Sequence, residues 1–140
     1  MVVIKNGEGH KFFWLYALKL ENEKYYIGIT TKNNPHERIE QHKRGFYGAK
    51  WTKKYRPLDT LEVIDLGSVS QEYAEHEEKK LTLKYMDKYG YQNVRGADLI
   101  YSGKYIKRFN HFFTENDWET MTVVVFLLLT ILVLLVYIYL

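Results

Sequence analysis

An α+β fold is what this sequence predicts: a small three-stranded antiparallel sheet flanked by helices, followed by one C-terminal transmembrane helix. Three observations lead there. Two aromatic-rich alternating runs, FFWLYALKL at 12–20 and KYYIGIT at 24–30, stand three residues apart, as the arms of a hairpin do. Two segments with helix start and stop signals follow, at 34–45 and 70–90. The last twenty residues, MTVVVFLLLTILVLLVYIYL, hold no charge, glycine or proline. At about 1.5 Å per helical residue they reach about 30 Å, the thickness of a hydrocarbon core.

In the hairpin, Glu21, Asn22 and Glu23 supply a loop of about three residues, which sets Leu20 opposite Lys24 and, counting back, Tyr16 opposite Gly28. Alternation then gathers Tyr16, Tyr26, Gly28 and Thr30 on one face, where diagonal neighbours are about 7–8 Å apart. A glycine opposite a phenol leaves room above the sheet. On the hairpin alone, the two phenols read as ordinary cross-strand aromatics.

Next comes NNPHERIEQHKRG. Asn34 can cap a helix, Pro35 suits its first position, Glu37 has capping-box spacing and Gly45 ends it. Its apolar content is one residue, Ile39, so something else has to hold it. Arg38 and His42 are four apart and share a face; taken alone, such a face is usually solvated. Residues 46–57, FYGAKWTKKYRP, read as a loop of aromatic and basic residues, and a third strand occupies about 58–65. The long helix, about 70–88, stops at Gly90. At about 100° per residue, Ala74, Leu81 and Tyr85 lie close around Glu78, which places this carboxylate in the apolar stripe, away from Glu72 and Glu77. Burying a carboxylate is costly without a partner or a metal; an edge acid paired to a lysine is the alternative. NVRG, at 93–96, closes the core.

From 104 to 118 the chain reads KYIKRFNHFFTENDW. If helical, it puts Tyr105, Phe109, Phe112 and Phe113 on one face, the pattern of a segment lying among lipid headgroups. A short aromatic linker is the alternative. The expected division is therefore 1–11 as an N-terminal extension, 12–103 as the folded domain, 104–120 as a juxtamembrane linker and 121–140 as the span. Lys104, Lys107 and Arg108 precede the span, so the positive-inside rule keeps the folded domain in the cytoplasm, and the N-terminus has no apolar stretch of signal-peptide length. That is the arrangement of a tail-anchored protein.

Composition excludes several chemistries. There is no cysteine, hence no disulfide framework or thiolate zinc site. The five histidines, His10, His36, His42, His76 and His111, show no metal-binding spacing. A net charge of +3 permits a polyanionic partner without demanding one.

Taken in order, LYALKL, KYYIGIT, RIEQH, WTKKY, a helical glutamate and NVRG fifteen residues after it closely resemble the GIY-YIG nuclease domain, from about Phe12 to Ser102. Trp14-Leu15-Tyr16 occupies the place of GIY and Tyr26-Ile27-Gly28 that of YIG, with tryptophan and leucine replacing the first two motif residues. The resemblance implies a metal-dependent endonuclease acting on DNA. It implies Tyr16 as general base or orienter of the attacking water, Tyr26 as its support and Arg38 as the phosphate clamp. His42 would assist proton transfer, and Asn93 would lie near the scissile phosphate. Glu78 would hold one Mg²⁺ or Mn²⁺, and Gly28, Arg95 and Gly96 belong to the structural motif. A phenol's pKa near 10 requires nearby cations to lower it for base work. Lys43, Arg44, Lys50, Trp51, Lys53, Lys54 and Arg56 are the expected nucleic-acid contacts, Trp51 being equally suited to packing. The competing reading is a membrane-anchored nucleic-acid-binding or scaffold protein that keeps the fold without cleaving; the complete set Tyr16, Tyr26, Arg38, Glu78 and Asn93 argues against it. A third reading gives the apolar helix an oligomerising role, but it has no small-xxx-small motif.

Overall fold

The computed structural model of the protein describes residues 9–45, 48–101, 103–108 and 111–139. Its folded unit runs β1 (Lys11–Leu20), β2 (Lys24–Thr30), α1 (Pro35–Lys43), α2 (Lys50–Lys54), β3 (Pro57–Val69), α3 (Gln71–Tyr89) and β4 (Val94–Arg95). The sheet has four strands in the order β3-β1-β2-β4, one more than the sequence predicts. The additional strand is two residues of NVRG that pair with β2 in parallel, Tyr25 with Val94 and Tyr26 with Arg95. Two residues carry no alternation, so no sequence pattern announces them.

The hairpin register is the expected one, with Leu20 opposite Lys24 and Tyr16 opposite Gly28. Its turn is a single 3₁₀ turn, Glu21–Glu23, made possible because Asn22 and Glu23 take left-handed φ of 58° and 52°. β3 is longer than expected, continuing to Val69 to pair with Lys11. Even-numbered residues of β1 and β2 face α1 and α2, and Tyr16, Leu18, Leu20, Tyr26, Ile39 and Trp51 form one buried cluster there. Odd-numbered residues face α3, where Tyr25 stacks on Tyr89 at 4.0 Å and meets Tyr85 edge-on. The sheet is thus the middle layer of three.

Both helices with sequence caps form as expected. Asn34 accepts from the backbone N–H of His36, and Ser70 from that of Tyr73. Glu37 does not complete the capping box, because its carboxylate pairs with Lys32 at 3.1 Å instead. Gly90 ends α3 with φ of 88°. Where a loop was expected after α1, residues 50–54 form the short helix α2.

Residues 103–140 form a second compact unit, with β5 (Tyr105–Arg108) paired antiparallel to β6 (His111–Thr114), followed by α4 (Glu115–Tyr139). This corrects the expectation of an amphipathic helix over 104–118. Helix formation waits for a capping box: Thr114 Oγ1 accepts from the Asp117 N–H, and Asp117 Oδ2 accepts from the Thr114 N–H at 3.0 Å. Phe109 and the side chains of Phe112 and Phe113 lie outside the described set, as do residues 1–8 of the extension and Leu140. Within α4, the segment Glu119–Tyr139 contains an 18-residue window with a mean hydropathy of 3.0 and is long and apolar enough to cross a bilayer. Thr130 fits such a helix because its hydroxyl donates back to Leu127 O at 2.7 Å.

Candidate active site

The site is built on the even face of the hairpin. Tyr16 and Tyr26 are diagonal neighbours with ring centroids 6.5 Å apart, both buried. Gly28 is where the Tyr16 ring lies: a Cβ there would come within 2.6 Å of the hydroxyl and 2.8 Å of Cζ. Its φ is not left-handed, so the glycine serves close approach and not chain reversal. The space expected above Gly28 is therefore occupied by the phenol across from it.

α1 closes over the phenols. It is held by buried Ile39 and Pro35 and by His42, only 1% exposed, which is the contact that so polar a helix needs. His42 Nε2 lies 2.9 Å from the Tyr16 hydroxyl, and its Nδ1 lies 2.9 Å from Thr52 Oγ1 on α2. Arg38, one turn earlier on the same face, also hydrogen-bonds the Tyr16 phenol, an interaction that favours its ionised form. Burial drives the Tyr16 phenol well above its ordinary range. Tyr26 adds to that, Arg38 opposes it by charge and hydrogen bond, and Glu78 raises it further. This corrects the expectation that neighbouring cations lower the phenol: Arg38 does pull that way, but desolvation outweighs it. Tyr26 is pushed up to about 12, by burial first and by Glu78 second. His42 is held down at about 4, by burial and then by Arg38, and is neutral at pH 7.

Glu78 comes from α3, where it sits in the buried stripe with Ala74, Leu81 and Tyr85 while Glu72 is exposed. It acts on both phenols although α3 covers the opposite face. The sheet permits this because β4 ends beside Tyr26, and the chain beyond it, Gly96-Ala97, folds along the edge of β2. Gly96 is pressed against Ile27 O and Thr82 Oγ1, where a Cβ would stand only 2.9 and 2.5 Å away. Ala97 adopts a left-handed φ of 48°, and its N–H reaches the Glu78 carboxylate. A non-glycine residue at such an angle stores strain of about 1 kcal/mol or more, held by its surroundings. Burial pushes Glu78 up to about 7, with Glu75 and Asp98 adding to the shift and the Ala97 hydrogen bond opposing it.

Tyr16, Tyr26, Arg38, His42 and Glu78 are thus brought together, and Asn93 is not. Its Oδ1 accepts from Lys24 Nζ at 2.6 Å and its Nδ2 donates to Tyr89 O at 2.8 Å, tying the end of α3 to the start of β2. Tyr25 pairs with Val94, so Asn93 stands level with Lys24. Four residues along β2 separate that position from Gly28, about 13 Å at 3.3 Å per residue.

Of the two roles open to Trp51, packing is the one its surroundings favour. It is 3% exposed, its Nε1 donates to Tyr25 O at 3.1 Å, and its ring carries the Arg95 guanidinium 4.3 Å from its centroid. No face is left for a nucleobase, so packing is its role. Arg95 is itself buried, donating to the carbonyls of Tyr91, Val94 and Tyr101. Lys43, Arg44, Lys50, Lys53, Lys54 and Arg56 are exposed around the ends of α1 and α2, with Lys43 paired to Glu40 at 2.9 Å.

Two contributors carried no signal in the sequence. Thr52 lay in what read as a loop, and Ala97 has no residue type that marks a left-handed angle.

A phenol held by an arginine and a histidine, beside a buried carboxylate, is a site suited to phosphoryl oxygens and a hard cation. The GIY-YIG catalytic domain family model matches residues 12–92, more than half of the chain. The chain belongs to that family of nuclease domains. No curated protein and no solved structure matches it significantly.

The divalent ion implied by the family can be tested against the residues present. Among the described residues no cluster of three or more histidines, cysteines and carboxylates could hold a metal; the carboxylate whose charge reaches both phenols is that of Glu78. Its carboxylate is buried, driven up by desolvation, and in no ion pair among the described residues. Such a group fits a cation that brings water and phosphate oxygens as its other ligands.

Proposed function

We propose that this protein is a metal-dependent endonuclease that hydrolyses phosphodiester bonds of DNA and is held to a membrane by α4, with its folded unit on the cytoplasmic side. The observation that carries the reading is the Tyr16 phenol, hydrogen-bonded to His42 and Arg38 and lying in the field of Glu78. Arg38 presents forked donors that cannot lose their charge, and it clamps the anionic phosphate. Tyr16 stays neutral in the resting site, so it works as a relay. Its oxygen accepts a proton from the attacking water while its own proton passes to His42 Nε2. The negative charge of the bound phosphate favours the imidazolium that results. Tyr26 fills the face beside Tyr16 and excludes water from it. Glu78 would hold a divalent ion such as Mg²⁺ or Mn²⁺, which would supply positive charge to the phosphate. The exposed lysines and arginines around α1 and α2 add affinity that is salt-dependent and indifferent to sequence.

A supercoiled plasmid, incubated with the full chain in detergent micelles, is the test. Nicking with Mg²⁺ or Mn²⁺ that disappears in Glu78→Ala is the expected result. Equal products from parent and variant, or none from either with any divalent ion, would overturn the reading in favour of a non-cleaving nucleic-acid-binding protein.

A further inference from the structure

The hydrogen bonds around His42 fix more than its position. Thr52 Oγ1 lies 3.0 Å from the carbonyl of Ala49, which can only accept, so the single hydroxyl proton of Thr52 is committed there. Toward His42, 2.9 Å away, the same oxygen can therefore only accept. It follows that Nδ1 carries the imidazole proton and that Nε2 presents a lone pair. The Tyr16 hydroxyl, 2.9 Å from Nε2, is then the donor. The four groups form one directed chain: Tyr16 to His42, His42 to Thr52, Thr52 to Ala49. A neutral histidine side chain otherwise prefers its proton on Nε2, and the partner at the other nitrogen decides which is observed.

Gly48 bears on the same bond independently. A Cβ at residue 48 would stand 2.8 Å from Thr52 Oγ1 and 3.2 Å from His42 Nδ1, inside the space the two atoms share. The left-handed region is not what calls for this glycine. The tight fit against the His42–Thr52 pair is.

We propose that Thr52 is a positioning residue of the hydrolytic site. By accepting the Nδ1 proton of His42 it reserves Nε2 for the proton of Tyr16, and Gly48 provides the room for it. The inference rests on the nuclease reading for its consequence in catalysis, and on geometry alone for the tautomer. During attack, the water oxygen bonds to phosphorus as the bond to the 3′ oxygen breaks. The water proton moves to Tyr16, the Tyr16 proton to Nε2, and the leaving oxygen takes a proton from solvent. With the opposite tautomer, Nε2–H would point at the phenol and the relay would have no acceptor.

The test has two arms on the full chain in detergent micelles. Nitrogen-15 spectra of the imidazole report which ring nitrogen is protonated, whether or not the protein cleaves DNA. The parent should show His42 protonated at Nδ1. Thr52→Val, which keeps the shape and removes the acceptor, should move the proton to Nε2, as should Gly48→Ala, while Thr52→Ser keeps it on Nδ1. In the nicking assay Thr52→Val should lose at least about tenfold in kcat with little change in KM, and Thr52→Ser should recover it. A parent histidine protonated at Nε2 overturns the inference even if every variant misfolds. So does a folded Thr52→Val protein with the parent's tautomer, or with the parent's kcat. A parent that does not nick DNA yet shows the expected tautomers counts against the nuclease reading and leaves the hydrogen-bond assignment standing.

Discussion

Gly28→Ala isolates the contact on which the site is built. The backbone at this position suits any residue, so the substitution introduces no conformational strain, and alanine would ordinarily gain about 0.5–1 kcal/mol over glycine in a strand. The new methyl, however, would sit 2.6 Å from the Tyr16 hydroxyl, 2.8 Å from its Cζ and 3.0 Å from Tyr26 Cε1. Tyr16 is 1% exposed and tied to His42, so its ring has nowhere to retreat without breaking that hydrogen bond. Overpacking of this kind costs about 1–3 kcal/mol. The lost hydrogen bond adds about 1 kcal/mol. After the alanine gain, a net loss of about 1–3 kcal/mol remains, which in a unit of roughly a hundred residues lowers the melting temperature by about 5–15 °C. Near-UV circular dichroism of the full chain in detergent follows the tyrosines and tryptophans, most of which lie in this unit, and avoids the strong far-UV backbone signal of α4. Nicking should fall with stability as Tyr16 is displaced. A variant that melts at or above the parent temperature and cuts as fast would refute the claim that the phenol lies across Gly28.

The two buried titrating groups oppose each other, and this can be separated by Glu78→Gln. The folded pKa of His42, about 4 against 6.5, contributes stability fully present above pH 6.5 and lost as pH falls toward 4, about 3 kcal/mol in all. Glu78, at about 7 against 4.5, does the reverse: its contribution is complete below pH 4.5 and is lost as pH rises through 7, again about 3 kcal/mol. Metal-free parent protein should therefore change little in stability between pH 4 and 7, whereas Glu78→Gln should gain steadily over that interval; parallel profiles would contradict the Glu78 assignment, and a flat Glu78→Gln profile that of His42. Trp51→Ala should cost about 3–5 kcal/mol in a denaturation experiment, as a buried indole does, and a surface-like loss below about 0.5 kcal/mol would return Trp51 to the binding face. Lys53→Ala with Lys54→Ala should lower the slope of log affinity against log salt by about 1–2 for duplex DNA and leave melting unchanged. An unaltered slope would place the DNA elsewhere.

Local patterns carried much of this architecture. The three-residue loop alone determined the pairing of Tyr16 with Gly28, because the two-residue period of strands leaves no freedom once the turn is counted. Asn34, Pro35, Ser70 and Gly90 marked helix ends by the hydrogen bonds and angles their side chains allow. Glu78 was legible as an acid on an apolar stripe. What could not be read depended on contacts between distant segments. Asn93 is tied to Lys24 by a bond spanning sixty-nine positions, and Trp51 is buried by Arg95, neither of which leaves a trace in local spacing. The pKa of Tyr16 turned on burial, which residue types alone do not give. The aromatic stretch at 104–118 satisfied a helical period, yet Thr114 and Asp117 begin the helix later, and the preceding strands pair with each other.

Paramagnetic broadening by Mn²⁺ tests most directly whether Tyr16, Tyr26, Arg38 and Glu78 surround one ion site. In the full chain in micelles, substoichiometric Mn²⁺ should erase the backbone signals of Gly28, Glu78 and Ala97 first, spare those of Asn93 and Lys24, and lose this pattern in Glu78→Gln. Broadening centred elsewhere, or unchanged by that substitution, would contradict the account.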